Sequence, residues 1–191
     1  MATNSGASFI TDGKFLYFTD IRTDEEKEKS KDGGPHTSIY KLDPTGGEAI
    51  KFLEFSYNFS LKKITDDYLI MSEAYDPIFD GYAEASEEDR KKILDHKKEE
   101  DDYHVFDEIP FWSNGGGVTN KNRTRLAIYD LKTEKLNIVS DELTNCYYSD
   151  YKDGEILAVT ERHRDKEPLT NEINIYDIKA VSYTHLRAHE T

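Results

Sequence analysis

Apolar residues along this chain fall in short dense runs rather than at helical spacing. Three runs open on a polar turn and continue apolar on both faces: Asp12-Gly13-Lys14-Phe15-Leu16-Tyr17-Phe18-Thr19, Asp66-Asp67-Tyr68-Leu69-Ile70-Met71-Ser72 and Asp153-Gly154-Glu155-Ile156-Leu157-Ala158-Val159-Thr160. A second run recurs as Ile39-Tyr40-Lys41-Leu42, Ile128-Tyr129-Asp130-Leu131 and Ile175-Tyr176-Asp177-Ile178. β-Branched and aromatic residues bounded by polar turns predict strands. Runs that are apolar on both faces predict strands covered on both sides.

The spacings decide the architecture. From each Ile-Tyr run to the next Asp turn the chain travels 27 and then 25 residues, whereas from each Asp turn to its own Ile-Tyr run it travels 27, 62 and 22. One connection is nearly fixed and the other absorbs every insertion. The fixed one has room for a hairpin turn, an outer strand, a connection and the next inner strand. Pro44-Thr45-Gly46-Gly47 and Lys132-Thr133-Glu134 supply the turns, 49–55 and 136–140 the outer strands, and 57–64 and 145–151 the inner ones. Four antiparallel strands repeated in this way predict an all-β fold, a partial β-propeller with a short helical insertion. A plain β-sandwich would explain the strands but not the fixed spacing. The count is about two and a half blades, against roughly four to eight in a closed propeller. Long insertions in one kind of connection are expected to collect on one face of the disc.

The end of the chain has a different character. Residues 181–191, VSYTHLRAHET, match the translation of a transposase sequencing adapter, and the adapter's preceding bases restrict residue 180 to a few types that include the alanine found there. Residues 1–179 are therefore expected to form the partial propeller, with its helical and loop insertion at 77–122, and 180–191 to be non-native. On this reading the polypeptide continues past the adapter junction, and His185 and His189 are not candidate metal ligands.

The insertions differ in kind. The first, 23–35, is a Lys/Glu/Asp run without apolar periodicity and reads as a solvated loop. In the second, 76–122, Ser86-Glu87-Glu88-Asp89 resembles a capping box opening a helix to about Asp102, supported by Glu87 with Lys91 and Glu88 with Lys92. His96 and His104 beside Glu99, Glu100, Asp101 and Asp102 read as an exposed charged segment; no metal site is assigned. The stretch 103–117, YHVFDEIPFWSNGGG, interleaves aromatics and carboxylates before three glycines. It predicts a loop of specified path, either capping its blade or facing a substrate. Asp107, Glu108, Phe111, Trp112 and Asn114 are the substrate-facing candidates. A phosphate cradle does not fit, because no helix or lysine pattern follows the glycines.

Composition narrows the partners. A net charge of −14 spread along 191 residues disfavours nucleic acid and anionic membrane. Cys146 is the only cysteine, so no intramolecular disulfide can form. With no signal peptide and no membrane-spanning run, the chain reads as cytoplasmic. No cofactor is implied. No Gly-x-Ser-x-Gly elbow occurs, so no catalytic residue is assigned. His36, His96, His104 and His163 sit in polar segments and are expected to be exposed, whereas Cys146 is expected in the core.

At residues 103–131, YHVFDEIPFWSNGGGVTNKNRTRLAIYDL, the chain resembles acylaminoacyl-peptidase-like members of the prolyl oligopeptidase family. The resemblance extends through TDGKFLYFTD and SIYKLDPTGGEA on one side and EPLTNEINIYDI on the other, covering residues 6–179. It implies a propeller followed by an α/β-hydrolase domain with a Ser-Asp-His triad. It also implies a parent enzyme that cleaves short peptides, its propeller restricting access to the active site. The expected partners are thus a peptide substrate and the missing hydrolase domain of the same chain. The family usually has propeller sequence before the point matching Met1, so Met1 is expected to be internal. A stand-alone scaffold propeller and a propeller glycosidase remain alternatives, separated from this one by downstream sequence.

Overall fold

The computed structural model describes residues 9–100, 106, 108, 109, 112, 113, 117, 118, 120–164, 168–179 and 182–186, with backbone alone at 113, 117, 118 and 182–186. In chain order the strands are β1 (Ile10–Thr11), β2 (Leu16–Thr19), β3 (Thr37–Leu42), β4 (Ile50–Phe55), β5 (Phe59–Ile64), β6 (Tyr68–Tyr75), β7 (Trp112–Ser113), β8 (Gly117–Val118), β9 (Arg123–Asp130), β10 (Lys135–Ile138), β11 (Thr144–Lys152), β12 (Glu155–Arg162), β13 (Glu172–Asp177) and β14 (Ser182–Leu186). Helix α1 spans Asp24–Lys31, α2 spans Glu87–Glu99, and a single 3₁₀ turn covers Pro77–Phe79.

Three four-stranded antiparallel sheets result. Sheet 1 runs β1-β2-β3-β4, sheet 2 runs β5-β6-β9-β10, sheet 3 runs β11-β12-β13-β14, and β7 with β8 makes a small ribbon. The predicted inner-to-outer strand order is the observed one. The Asp153-Gly154 turn joins β11 to β12 with φ of 51° and 95°, the left-handed pair that a two-residue hairpin requires.

Sheet 2 shows why its strands are apolar on both faces. Leu69, Met71 and Ala127 pack with Tyr17 and Ile39 of sheet 1, whereas Ile70, Leu126 and Ile128 pack with Ile156, Ala158 and Tyr176 of sheet 3. Alternate residues of one strand thus serve two different cores. The three sheets stack face to face as in a partial propeller, without closing.

Three expectations change. Sheet 3 holds three strands, β11 to β13, within residues 1–179 instead of half a blade, and residues 182–186, in the segment read above as non-native, pair as β14 with β13 along Ile173–Asp177. An open strand edge presents unpaired N–H and C=O groups, and the segment following the 177–179 turn takes them. The first insertion is not a loop but carries α1. Thr23 caps it and Glu26 reaches back to the Thr23 N–H, a complete capping box, and Glu26 is buried. The second helix ends at Glu99, with Glu100 as its C-cap. There Glu88 and Lys92 pair at 2.9 Å, whereas Glu87 and Lys91 form no ion pair.

Candidate functional site: a cleft on the insertion face

The connections that leave β2, β6 and β12 return as β3, β9 and β13. They occupy the same place in each sheet and therefore open at the same end of the stack, so that α1, α2 and the β7–β8 ribbon gather there. At that end lies a cleft of about 780 Å³ to which all three sheets contribute, lined among others by Asp20 and His36 beside sheet 1, Ser60, Glu73 and Thr124 of sheet 2 and Tyr147 of sheet 3.

Two charged clusters shape the cleft. Glu73 and Arg125 face each other across β6 and β9, joined by two hydrogen bonds of 2.8 and 3.0 Å. The guanidinium also sits 3.7 Å over the Tyr75 ring. A bidentate pair stacked on an aromatic is held rigidly. Across the cleft, His36 Nε2 lies 3.0 Å from Ser38 Oγ and its Nδ1 lies 3.6 Å from Glu54. Burial pushes the His36 imidazole below its ordinary pKa, against the attraction of Glu54. A serine, a histidine and a carboxylate in a row invite a catalytic reading, but Ser38 is 2% exposed and its hydroxyl also serves Glu26. The constellation orders α1 against the sheet instead of presenting a nucleophile.

A third cluster ties the long insertion down. Arg123, at the start of β9, donates to Glu108, and His163 Nδ1 lies 3.5 Å from the other Glu108 oxygen. All three are buried. His163 Nε2 meets Asn145 Nδ2 at 3.2 Å, and Asn145 Oδ1 accepts the Thr124 N–H at 2.9 Å. The insertion, sheet 2 and sheet 3 therefore meet at one polar knot.

Of the residues singled out in the loop, Glu108 is buried in that knot, and Trp112 is 57% exposed on β7. Neither lines the cleft. Asp107, Phe111 and Asn114 lie outside the described residues. The expectation of exposed histidines fails at His163, which is buried, and at His36, a half-buried residue whose side chain is 8% exposed, each beside a carboxylate; His96 is exposed, and His104 lies outside the described residues. Cys146 is buried as expected, and its burial pushes the thiol up to about 11. Glu73 and Arg125 were not singled out from sequence, although a carboxylate inside the apolar run YLIMSEAY was the available signal. Among the described residues no group of three His, Cys, Asp or Glu side chains gathers as for a metal ion. No described helix is long and apolar enough to cross a membrane.

No protein-family model matches the chain, and no curated protein sequence matches it. Solved structures do. Pyrococcus horikoshii acylaminoacyl peptidase in its orthorhombic crystal form aligns with a TM-score of 0.57 and 17% identity, over 95% of this chain and 25% of that one. The uncomplexed form of the same peptidase gives 0.55 and 15%, with the same coverage. This chain thus spans a quarter of the length of those peptidase chains. At such identity the likeness is one of fold: a propeller-like stack of antiparallel sheets similar to part of acylaminoacyl peptidase.

Proposed function

We propose that this chain is part of the β-propeller accessory domain of a serine peptidase that hydrolyses short peptides. On this reading the insertion face turns toward an α/β-hydrolase domain encoded elsewhere in a longer polypeptide, and the propeller restricts access to its active site. The observation that carries the proposal is the gathering of all three variable connections at the end where the cleft opens. The likeness to acylaminoacyl peptidase over 95% of the chain supports it, as do the sequence runs that resemble the prolyl oligopeptidase family. The loop around Trp112 would help to shape the substrate channel, together with Asp107, Phe111 and Asn114. Glu108 would act from beneath as its anchor.

Recovery of the complete reading frame tests the proposal. A Gly-x-Ser-x-Gly serine followed by aspartate and then histidine is expected after the propeller, with hydrolysis of short peptide amides by the expressed protein. A complete frame that encodes propeller blades alone would refute it.

A further inference from the structure

A side cavity of about 310 Å³ opens beside the main cleft and shares Asn58, Glu73 and Ala74 with it. It lies between sheets 1 and 2, and its walls come mainly from the turn between β4 and β5, the end of β6 and the connection that follows β6. Tyr57, Tyr75, Phe79 and Tyr82 supply an aromatic lining. Tyr82 is fixed from two sides. A side chain at Gly34 would collide with its hydroxyl, and Arg90 lies 5.1 Å from its ring centre while donating to the Tyr82 and Ala83 carbonyls at 3.0 and 2.6 Å. Phe79 meets Tyr82 edge-on at 5.8 Å. An aromatic-lined hollow of this size with a few convergent polar groups is the usual form of a site for a small chemical group.

The polar groups of the lining are unevenly matched. Arg125 gives its Nε and Nη2 to Glu73 at 2.8 and 3.0 Å, and Lys97 meets Asp76 at 3.1 Å. Asp80 and Glu84 have no lysine or arginine partner among the described residues; one Glu84 oxygen accepts the Tyr57 hydroxyl at 2.9 Å, and the other accepts nothing. Tyr75 is 8% exposed and lines the cavity, yet its hydroxyl has no hydrogen-bond partner among the described residues. A polar atom so enclosed calls for a group that supplies the missing bond. Burial, and then the charge of Asp80, pushes the Tyr75 hydroxyl above its ordinary pKa, so it stays a neutral phenol. The unmet groups are therefore two carboxylates and a phenol oxygen set among aromatic rings. A cation with several N–H donors satisfies all of them, lying on the rings and donating to the oxygens, whereas an anion would meet only repulsion from the carboxylates.

We propose that this side cavity binds the cationic side chain of an arginine or lysine in a peptide, with Tyr75, Asp80 and Glu84 as acceptors and Phe79 and Tyr82 as walls. The cation chemistry stands on the cavity itself; the peptide source rests on the accessory-domain reading, under which peptides pass the adjoining cleft. An NMR titration of the isotope-labelled chain with N-acetyl-arginine methylamide should give saturable shifts at Tyr57, at residues 75–84 and at Arg125. N-acetyl-citrulline methylamide, which keeps the shape and loses the charge, should bind at least about tenfold more weakly. Asp80→Asn with Glu84→Gln should weaken arginine binding by about tenfold or more, and Tyr75→Phe should weaken it in the same direction. Circular dichroism should show these variants folded. Glu48→Gln, the same charge change at an exposed turn before β4, should leave binding unchanged. Absence of saturable shifts, equal affinity for citrulline, or full affinity in the double variant overturns the proposal. Methylguanidinium binding as tightly as the blocked arginine would give the site to free amines and overturn the peptide assignment. The accessory-domain reading would survive any of these results, because the downstream reading frame decides it separately.

Discussion

Glu26 concentrates more polar contacts than any other carboxylate described above. Its oxygens accept from the Arg22 and Thr23 N–H groups at 2.7 and 3.0 Å, from the Tyr40 hydroxyl, and from Lys51 Nζ at 2.9 Å. Burial alone would raise its pKa; the hydrogen bonds from Thr23, Ser38, Arg22 and Lys51 more than offset that and hold it well below its ordinary 4.5. A depressed carboxylate contributes stability that is fully present above the unfolded value and is lost as pH falls below it. His36 works in the same direction. Burial lowers its pKa from the ordinary 6.5, so the folded state resists protonation and stability declines as pH drops through that value. Denaturant melts across the acid range should therefore show two stages of loss, below about pH 6.5 and again below about pH 4.5. His36→Asn should flatten the first stage and Glu26→Gln the second. At neutral pH Glu26→Gln should itself cost about 3 kcal/mol, because Lys51 and the capping N–H groups lose a charged acceptor in a buried setting. An unchanged melt for Glu26→Gln would show α1 to be dispensable for the sheet beneath it.

Among the elements, the long insertion separates anchoring from presentation, and the two should respond differently to mutation. Glu108→Ala strands a buried guanidinium at Arg123, a change of the kind that costs about 3–5 kcal/mol; it should lower the melting temperature of the chain sharply. Trp112→Ala removes a side chain that is 57% exposed and should scarcely alter melting. In the full-length peptidase of the proposal, Trp112→Ala should instead change the kinetics of peptide hydrolysis. Normal kinetics with reduced melting would make the loop a structural cap. The strands were legible in the sequence because turn residues and two-sided apolar runs recur at fixed offsets, as the Asp153-Gly154 hairpin illustrates. Helix α1 was equally written there, in Thr23-Asp24-Glu25-Glu26, but a search for apolar periodicity passes over a helix held by one buried glutamate. The burial of His36, Glu108 and His163 was not legible at all. Each is enclosed by residues distant in the chain, Glu54, Arg123 and Asn145 among them, and local polarity says nothing of such partners.

At the scale of the whole molecule, sheet 2 is the only one of the three described sheets with a sheet packed on each face, and that asymmetry should govern how the chain opens. In stacked repeats stability is close to a sum of intrinsic terms and nearest-neighbour interfaces, so a unit with two neighbours opens last. Sheet 1 has one sheet neighbour and a cover of α1, Arg22 and Phe9 on its other side. Sheet 3 has one sheet neighbour and, in the monomer, an apolar face open to water. Amide hydrogen exchange on dilute, monomeric chain should thus rank sheet 2 as most protected, sheet 1 next and sheet 3 least, with β6 and β9 slowest of all. Each large aliphatic side chain left exposed forgoes roughly 1.5–3 kcal/mol of burial, which is large against a typical total stability of about 5–15 kcal/mol. Leu157 and Ile173 are only partly exposed, so their deficit weakens sheet 3 without abolishing it. The same chain should show no peptidase activity at any concentration. Uniform protection across the three sheets, unfolding as one unit, would mean that the stack behaves as a single cooperative core and that its ends are no weaker than its middle.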